Sequence, residues 1–151
     1  MFLKGRKYLT EVGECFKKKL LIRTKPNKEL AAKSIRQAKH FLKKTERYLK
    51  LKDAETVSIY LYYALFHAGR ALLFKDGIKE RSHFCTLLYL EFTYVKRGLL
   101  PEEYLDTLRA LKENRQEIQY GFLIESNIDL DTLEDYFEKA KSFINLIENI
   151  L

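Results

Sequence analysis

A chain of 151 residues has the length of one domain, and 46% hydrophobic with 32% charged residues permits a packed core under a charged surface. Six Gly and two Pro exclude collagen-like, low-complexity and turn-rich all-β designs, and ten Tyr with ten Phe supply too much burial drive for a disordered chain. The net charge of +7 is unevenly spread: residues 1–52 hold 17 Lys/Arg against 4 Asp/Glu, residues 53–115 balance, and residues 116–151 hold 2 Lys against 8 acids. A basic front third attracts polyanions such as RNA or DNA in a salt-dependent way. It equally describes a solvated lysine face lying against an acidic C-terminal helix.

In chain order, residues 1–25 keep helical spacing at Leu9, Val12, Phe16 and Leu20, weakened by Gly5 and Gly13, which suggests a short helix preceding the main body. No apolar h-region follows the basic start, so no signal peptide is read. Asn27 is a plausible N-cap for an amphipathic helix carrying Ala31, Ile35, Ala38, Phe41, Leu42, Thr45, Tyr48 and Leu49. Asp53 caps a second, which runs to Phe74 and stops at the Lys75-Asp76-Gly77 turn. Its stretch over 58–74 approaches membrane-spanning length, but His67 and a central Arg70 favour a helix buried in a soluble bundle, with no membrane partner. Ser82 caps a third helix bearing Leu87, Leu90, Tyr94 and Val95, closed by Gly98. Pro101-Glu102-Glu103 opens a fourth, burying Tyr104, Leu105, Leu108, Leu111 and Ile118 before Gly121. Asp131 with Glu134 resembles a capping box for a fifth, lined by Leu133, Phe137, Ala140, Phe143, Ile144, Ile147 and Leu151. No strand pattern competes, and the short connections favour antiparallel neighbours. The expected fold is all-α, an antiparallel four- to five-helix bundle in a single domain over 1–151, with 1–25 as an extension and 26–151 as the core.

Chemistry concentrates in two places. Tyr60, Tyr63, His67 and Arg70 follow one another at steps of three, four and three, opposite an aliphatic side of Val57, Leu61, Ala64, Leu65, Ala68 and Leu72. Such a ridge binds phosphate or a base through an arginine fork and aromatic faces, or serves as an internal polar network or dimer interface. Arg115 shares a face with Leu108, Leu111 and Ile118, so it requires a carboxylate, carbonyl or phosphate. An ion pair with an acid of the last helix is the structural explanation. P-loop, GxGxxG, HExxH and GxSxG motifs are absent, and His40, His67 and His83 lack ligand spacing. Hence no metal centre and no cofactor are expected. His40 reads as a surface residue, and His83, just past Ser82, as part of a local cap whose positive helix end disfavours its protonated form. Cys15 and Cys85, seventy residues apart, form no disulfide framework or zinc motif, and a reducing cytoplasm is the expected location.

The run SIYLYYALFHAGRALL over 58–73, then Gly77, Ser82 and His83, VKRG over 95–98 and LRALKENRQEIQY over 108–120 resemble the HEPN family. The closest likeness is to the short prokaryotic type often encoded beside minimal nucleotidyltransferases. The resemblance covers roughly 26–150 and implies an antiparallel helical bundle that dimerises. Many members are metal-independent endoribonucleases using an arginine and, four to six residues later, a histidine. Arg115 matches the arginine, but Tyr120, Gly121 and Phe122 occupy the histidine positions, and a tyrosine titrating near ~10 is a poor base at neutral pH. His67 or His83 could substitute only spatially. The resemblance therefore implies a nucleotide- or RNA-binding homodimer presenting Arg115, Tyr120 and Arg70, the toxin-side partner of a minimal nucleotidyltransferase. In related pairs a tyrosine near the motif is adenylylated. Tyr120 corresponds loosely, because the usual position is Phe122. The competing readings are an active ribonuclease with an unusual base, and a scaffold for the nucleotidyltransferase without a ligand.

Overall fold

The computed structural model describes residues 2–121 and 126–151, with side chains from Thr10 onward. Six α-helices dominate: α1 (Phe2–Lys17), α2 (Lys28–Lys50), α3 (Ala54–Lys75), α4 (His83–Leu90), α5 (Glu102–Tyr120) and α6 (Leu130–Ile150). A π-helical turn, Glu91–Val95, extends α4. The all-α expectation holds. The leading helix is longer than expected, at 16 residues. The expectation of no strands is corrected: β1 (Leu21–Arg23) and β2 (Ile78–Glu80) pair antiparallel, with Ile22 opposite Lys79. Gly77 makes this pairing possible. Its φ is +75°, and a Cβ there would sit 2.5 Å from the Thr24 carbonyl oxygen.

Most helix starts follow the cap chemistry of the sequence. Asn27, Asp53 and Ser82 accept hydrogen bonds from the backbone N–H groups of Leu30, Thr56 and Cys85. For α6 the cap is Asp129, whose Oδ1 accepts from Thr132 N–H at 2.8 Å, rather than Asp131, which stands inside the first turn. Starting two residues earlier gives Leu133 a helical N–H bond to the Asp129 carbonyl while its side chain is fully buried.

Helix α3 is the central element and packs against α2, α4, α5 and α6. Val57, Leu61, Ala64, Leu65, Ala68, Ala71, Leu72 and Leu73 are completely buried. It is the one helix among the described residues long and apolar enough to cross a membrane, yet 67% of its apolar window lies inside the fold. Close approach to α5 depends on Gly69, where a Cβ would come within 2.5 Å of the Tyr104 hydroxyl and 2.7 Å of Leu90. That hydroxyl donates to the Leu65 carbonyl at 2.6 Å, so the fully buried phenol is satisfied. Most of the apolar faces read from the sequence are buried, but Phe41, Leu42, Tyr48, Leu49, Val95 and Ile118 are half-buried and Leu151 is exposed. The lysine face of α2 meets the acidic C-terminal helix through one ion pair, Lys39 Nζ to Glu148 Oε2 at 2.5 Å.

Cys15 of α1 and Cys85 of α4 form a disulfide with Cα atoms 5.9 Å apart, which corrects the reading of two unrelated cysteines. Spacing along the chain could not show this, because the pairing arises only when α1 folds back over α4. The argument for a reducing compartment loses its footing with it.

Candidate functional site

Three helices converge on the Tyr62 side chain. Tyr62 lies on α3 and is fully buried. Because Ser82 caps α4, His83 is the first residue of that helix, and its ring returns across α3. Its Nδ1 lies 2.5 Å from the Tyr62 hydroxyl, and the ring stacks on Phe66 with centroids 4.0 Å apart. Helix α5 supplies Arg115, whose guanidinium carbon sits 4.7 Å from the Tyr62 ring centroid and 5.8 Å from that of Tyr63. The Arg115 Nε is buried and has no hydrogen-bond partner among the described residues. No carboxylate among them pairs with Arg115, and the ion pair considered for it with the last helix does not form there.

The electrostatics of this cluster are those of an anion site. Burial, opposed by Arg115, pushes the Tyr62 phenol up to about 12, so it is neutral at physiological pH. The phenol can donate to His83 Nδ1, and in that arrangement Nδ1 accepts. The ring proton of neutral His83 then resides on Nε2, which offers a donor. Burial, followed by the charges of Arg115, Lys112 and Arg70, holds His83 below its ordinary pKa. Lys112 is likewise depressed, by burial and then by Arg115 and Arg109. Arg70 and Arg109 have carboxylate partners in Glu80 and Glu91, whereas Arg115 and Lys112 have none among the described residues and leave a positive potential that an anion would relieve.

The ridge on α3 is distributed differently from the cleft expected of it. Tyr60, Tyr63 and His67 gather around Phe41 of α2, with ring centroids 5.8, 5.3 and 5.6 Å away. Lys44 lies 5.2 Å from the Tyr60 ring. His67 is lowered to about 4 by burial, then by Arg70 and His83. Arg70 approaches Glu80 with its Nε 3.1 Å from Oε1 and lies over Phe74 at 5.0 Å. The angle of that ion pair does not make a hydrogen bond, and Nε remains unsatisfied. Burial raises Glu80 even against the pull of Arg70. Thus Arg70 already has a counter-ion, whereas Arg115 has none among the described residues. Only Tyr63 belongs to both the ridge and the Arg115 cluster.

Tyr120 is 82% exposed at the last turn of α5. Five residues beyond Arg115, it points to a different side of the helix, and the structure does not bring the two together. Phe122, the position corresponding to the family's modified tyrosine, lies outside the described residues. Asn114, beside Arg115, is buried. Its Nδ2 donates to Ser126 Oγ at 3.1 Å, and its Oδ1 accepts from Asn127 N–H at 2.8 Å, anchoring the segment that leads into α6. His40 is exposed on α2, as expected. His83 is not a cap residue: Ser82 alone caps α4, and the histidine is occupied with Tyr62. Tyr62 and Lys112 were absent from the sequence reading. A tyrosine amid the aliphatic face of a buried helix needs a polar partner, and that requirement was the available signal. Among the described residues no cluster of three His, Cys, Asp or Glu gathers as a metal ligand set.

Comparison with known proteins agrees with this arrangement of helices. The chain is 28% identical over 116 residues to a UPF0332 protein of Thermotoga maritima, spanning 77% of this chain and 86% of that protein. It is 27% identical over 116 residues to a UPF0332 protein of Archaeoglobus fulgidus, spanning 74% of this chain and 92% of that protein. The HEPN domain profile matches residues 31–150, from the first turn of α2 to the last residue of α6. With most of its length, nearly all of α2 and every later helix inside that match, the chain belongs to the HEPN domain family.

Proposed function

We propose that this protein binds the phosphate of a nucleotide or RNA at Arg115, as a homodimer whose ribonuclease motif is degenerate. The carrying observation is the Arg115–Tyr62–His83 cluster: a half-buried guanidinium with no carboxylate partner among the described residues, beside a histidine whose Nδ1 is engaged by Tyr62, so that Nε2 is the donor when the phenol donates. Arginine offers a planar fork to a phosphate, and Nε2–H adds a third donor direction. The same tautomer argues against proton abstraction, because a general base at Nε2 needs its lone pair there. The homodimer and the pairing with a minimal nucleotidyltransferase, as its toxin-side partner, rest on the family resemblance. Sedimentation and co-purification test them.

The direct test is RNA binding at two salt concentrations with EDTA present, beside Arg115→Ala. The expected outcome is salt-dependent binding without cleavage, weakened about tenfold or more in the variant, the loss of one charge-assisted contact. Equal affinity of the two proteins would sink the assignment. Cleavage abolished by both Arg115→Ala and His83→Gln would establish the ribonuclease reading, with the Tyr62–His83 pair turned to the opposite tautomer. A scaffold role predicts no nucleic-acid affinity for either protein.

A further inference from the structure

Helices α4 and α5 leave a groove of about 490 Å³, within the roughly 300–1,000 Å³ range of small-molecule sites, and its lining includes Lys112, which feels the charge of Arg115, and Gln116, the next residue along α5. Its floor is Leu87 and Leu88, both buried, and its walls carry Arg109, Lys112 and Gln116, with Glu113 at the rim. At its mouth stands Phe84, the residue after His83, which is 58% exposed despite a fold that buries most of its other large apolar side chains. Lys112 Nζ lies 5.9 Å from the Phe84 ring centroid. Arg109 is held by Glu91 at 2.8 Å, so it shapes the wall, whereas Lys112 has no carboxylate partner among the described residues.

An exposed ring flanked by cations above an apolar floor suits a flat, uncharged heterocycle joined to an anion. Nonspecific readers of single strands combine these two elements, an aromatic stacking face and a positive track for the backbone. An acidic peptide would find Lys112 but no use for the open ring face. Resting on the phosphate reading above, we infer that Phe84 stacks the unpaired base adjoining the phosphate held at Arg115, with Lys112 on the next phosphate. The site thereby selects single-stranded RNA over duplex. A base paired inside a duplex cannot reach Phe84, because both of its faces are already stacked; only the terminal pairs keep one face open.

Fluorescence anisotropy with three labelled ligands tests this: a decauridylate, an abasic ribose–phosphate decamer of equal charge, and a ten-base-pair RNA duplex. Wild type is expected to bind decauridylate about tenfold more tightly than the abasic strand and the duplex, the increment of one stacked base. Phe84→Ala erases that preference while leaving abasic affinity unchanged, and Phe84→Tyr retains it. Because Phe84 is exposed, an unaltered melting temperature is expected to confirm the fold of both variants. A wild-type ratio in Phe84→Ala overturns the stacking role, while abasic binding lost only in Arg115→Ala leaves the phosphate reading standing. No binding of any ligand by wild type overturns both. A Phe84→Ala protein that changes from dimer to monomer with the ratio intact assigns the groove to a second copy of the chain and overturns the inference.

Discussion

Two tyrosine clusters sit at the two ends of the α4 region and were built to different ends. At its C-terminal end, Tyr89 in the last turn of α4 and Tyr94 in the π-turn both donate to Asp76 Oδ2, at 2.9 and 2.7 Å. The π-turn makes this possible: with i→i+5 bonding, as from Lys96 N–H to the Glu91 carbonyl, residues five apart are brought toward one face. Both phenols are driven up by burial and by Asp76, and the carboxylate is committed to them. At the N-terminal end, Tyr62, His83 and Arg115 form a comparable network with no acid in it among the described residues. The first cluster supplies its own anion and is complete. Among the described residues the second lacks one, and that difference, more than the residue types, is what the proposed phosphate site rests on.

Removing the acid from the complete cluster should have the largest effect. Asp76→Ala orphans two buried hydroxyls and should cost about 3 kcal/mol in denaturant unfolding, at about 1–3 kcal/mol for each group left unsatisfied. It should leave RNA affinity unchanged. Arg115→Ala, with no ion pair to lose among the described residues, should stay within about 1 kcal/mol of wild-type stability while affinity falls. If the two variants exchange phenotypes, the distinction between the clusters fails.

The covalent link comes next, since Cys85 lies between the two clusters on α4. Closing a 70-residue separation restricts the unfolded chain, so Cys15→Ser, or reduction, should lower stability by about 2–4 kcal/mol. A change below about 0.5 kcal/mol would mean that α1 contributes nothing to holding α4 in place.

The smallest effect is pH-dependent. Unfolded His67 takes up its proton near ~6.5, whereas the folded residue waits until about 4. Between these values the unfolded chain binds more protons, so stability is complete above pH 6.5 and declines as pH falls toward 4. The loss should be on the order of 2 kcal/mol after allowance for partial exposure. Unfolding midpoints of wild type and His67→Gln measured from pH 7 to 4.5 should diverge accordingly. Parallel curves would show that His67 is not the titrating group.

Local chemistry was legible in the sequence and tertiary closure was not. Asn27, Asp53 and Ser82 could be read as caps because a cap involves only its own first turn. The cap of α6 reads as Asp131 because Glu134 three residues on imitates a capping box, whereas the helix starts two residues earlier at Asp129. Two three-residue strands are too short to show alternation. Arg115 stood out because an arginine on an apolar stripe is anomalous wherever the helix lies. Tyr62 did not, because the ridge was assembled from residues spaced three and four apart, and its partner His83 comes from another helix. Tyr120 was adjacent to the motif in sequence but lies round the α5 axis from Arg115.

The Cys15–Cys85 bridge makes a ring of everything from the end of α1 to the start of α4, including β1, all of α2 and α3, and β2. A protease that cuts once inside that ring, for example in the exposed segment at residues 24–27, opens it without separating the pieces. The nicked protein would run as one species on a non-reducing gel and as two after thiol treatment. Its two fragments would remain tethered, with α1 held through Cys15 to the same α4 that carries His83.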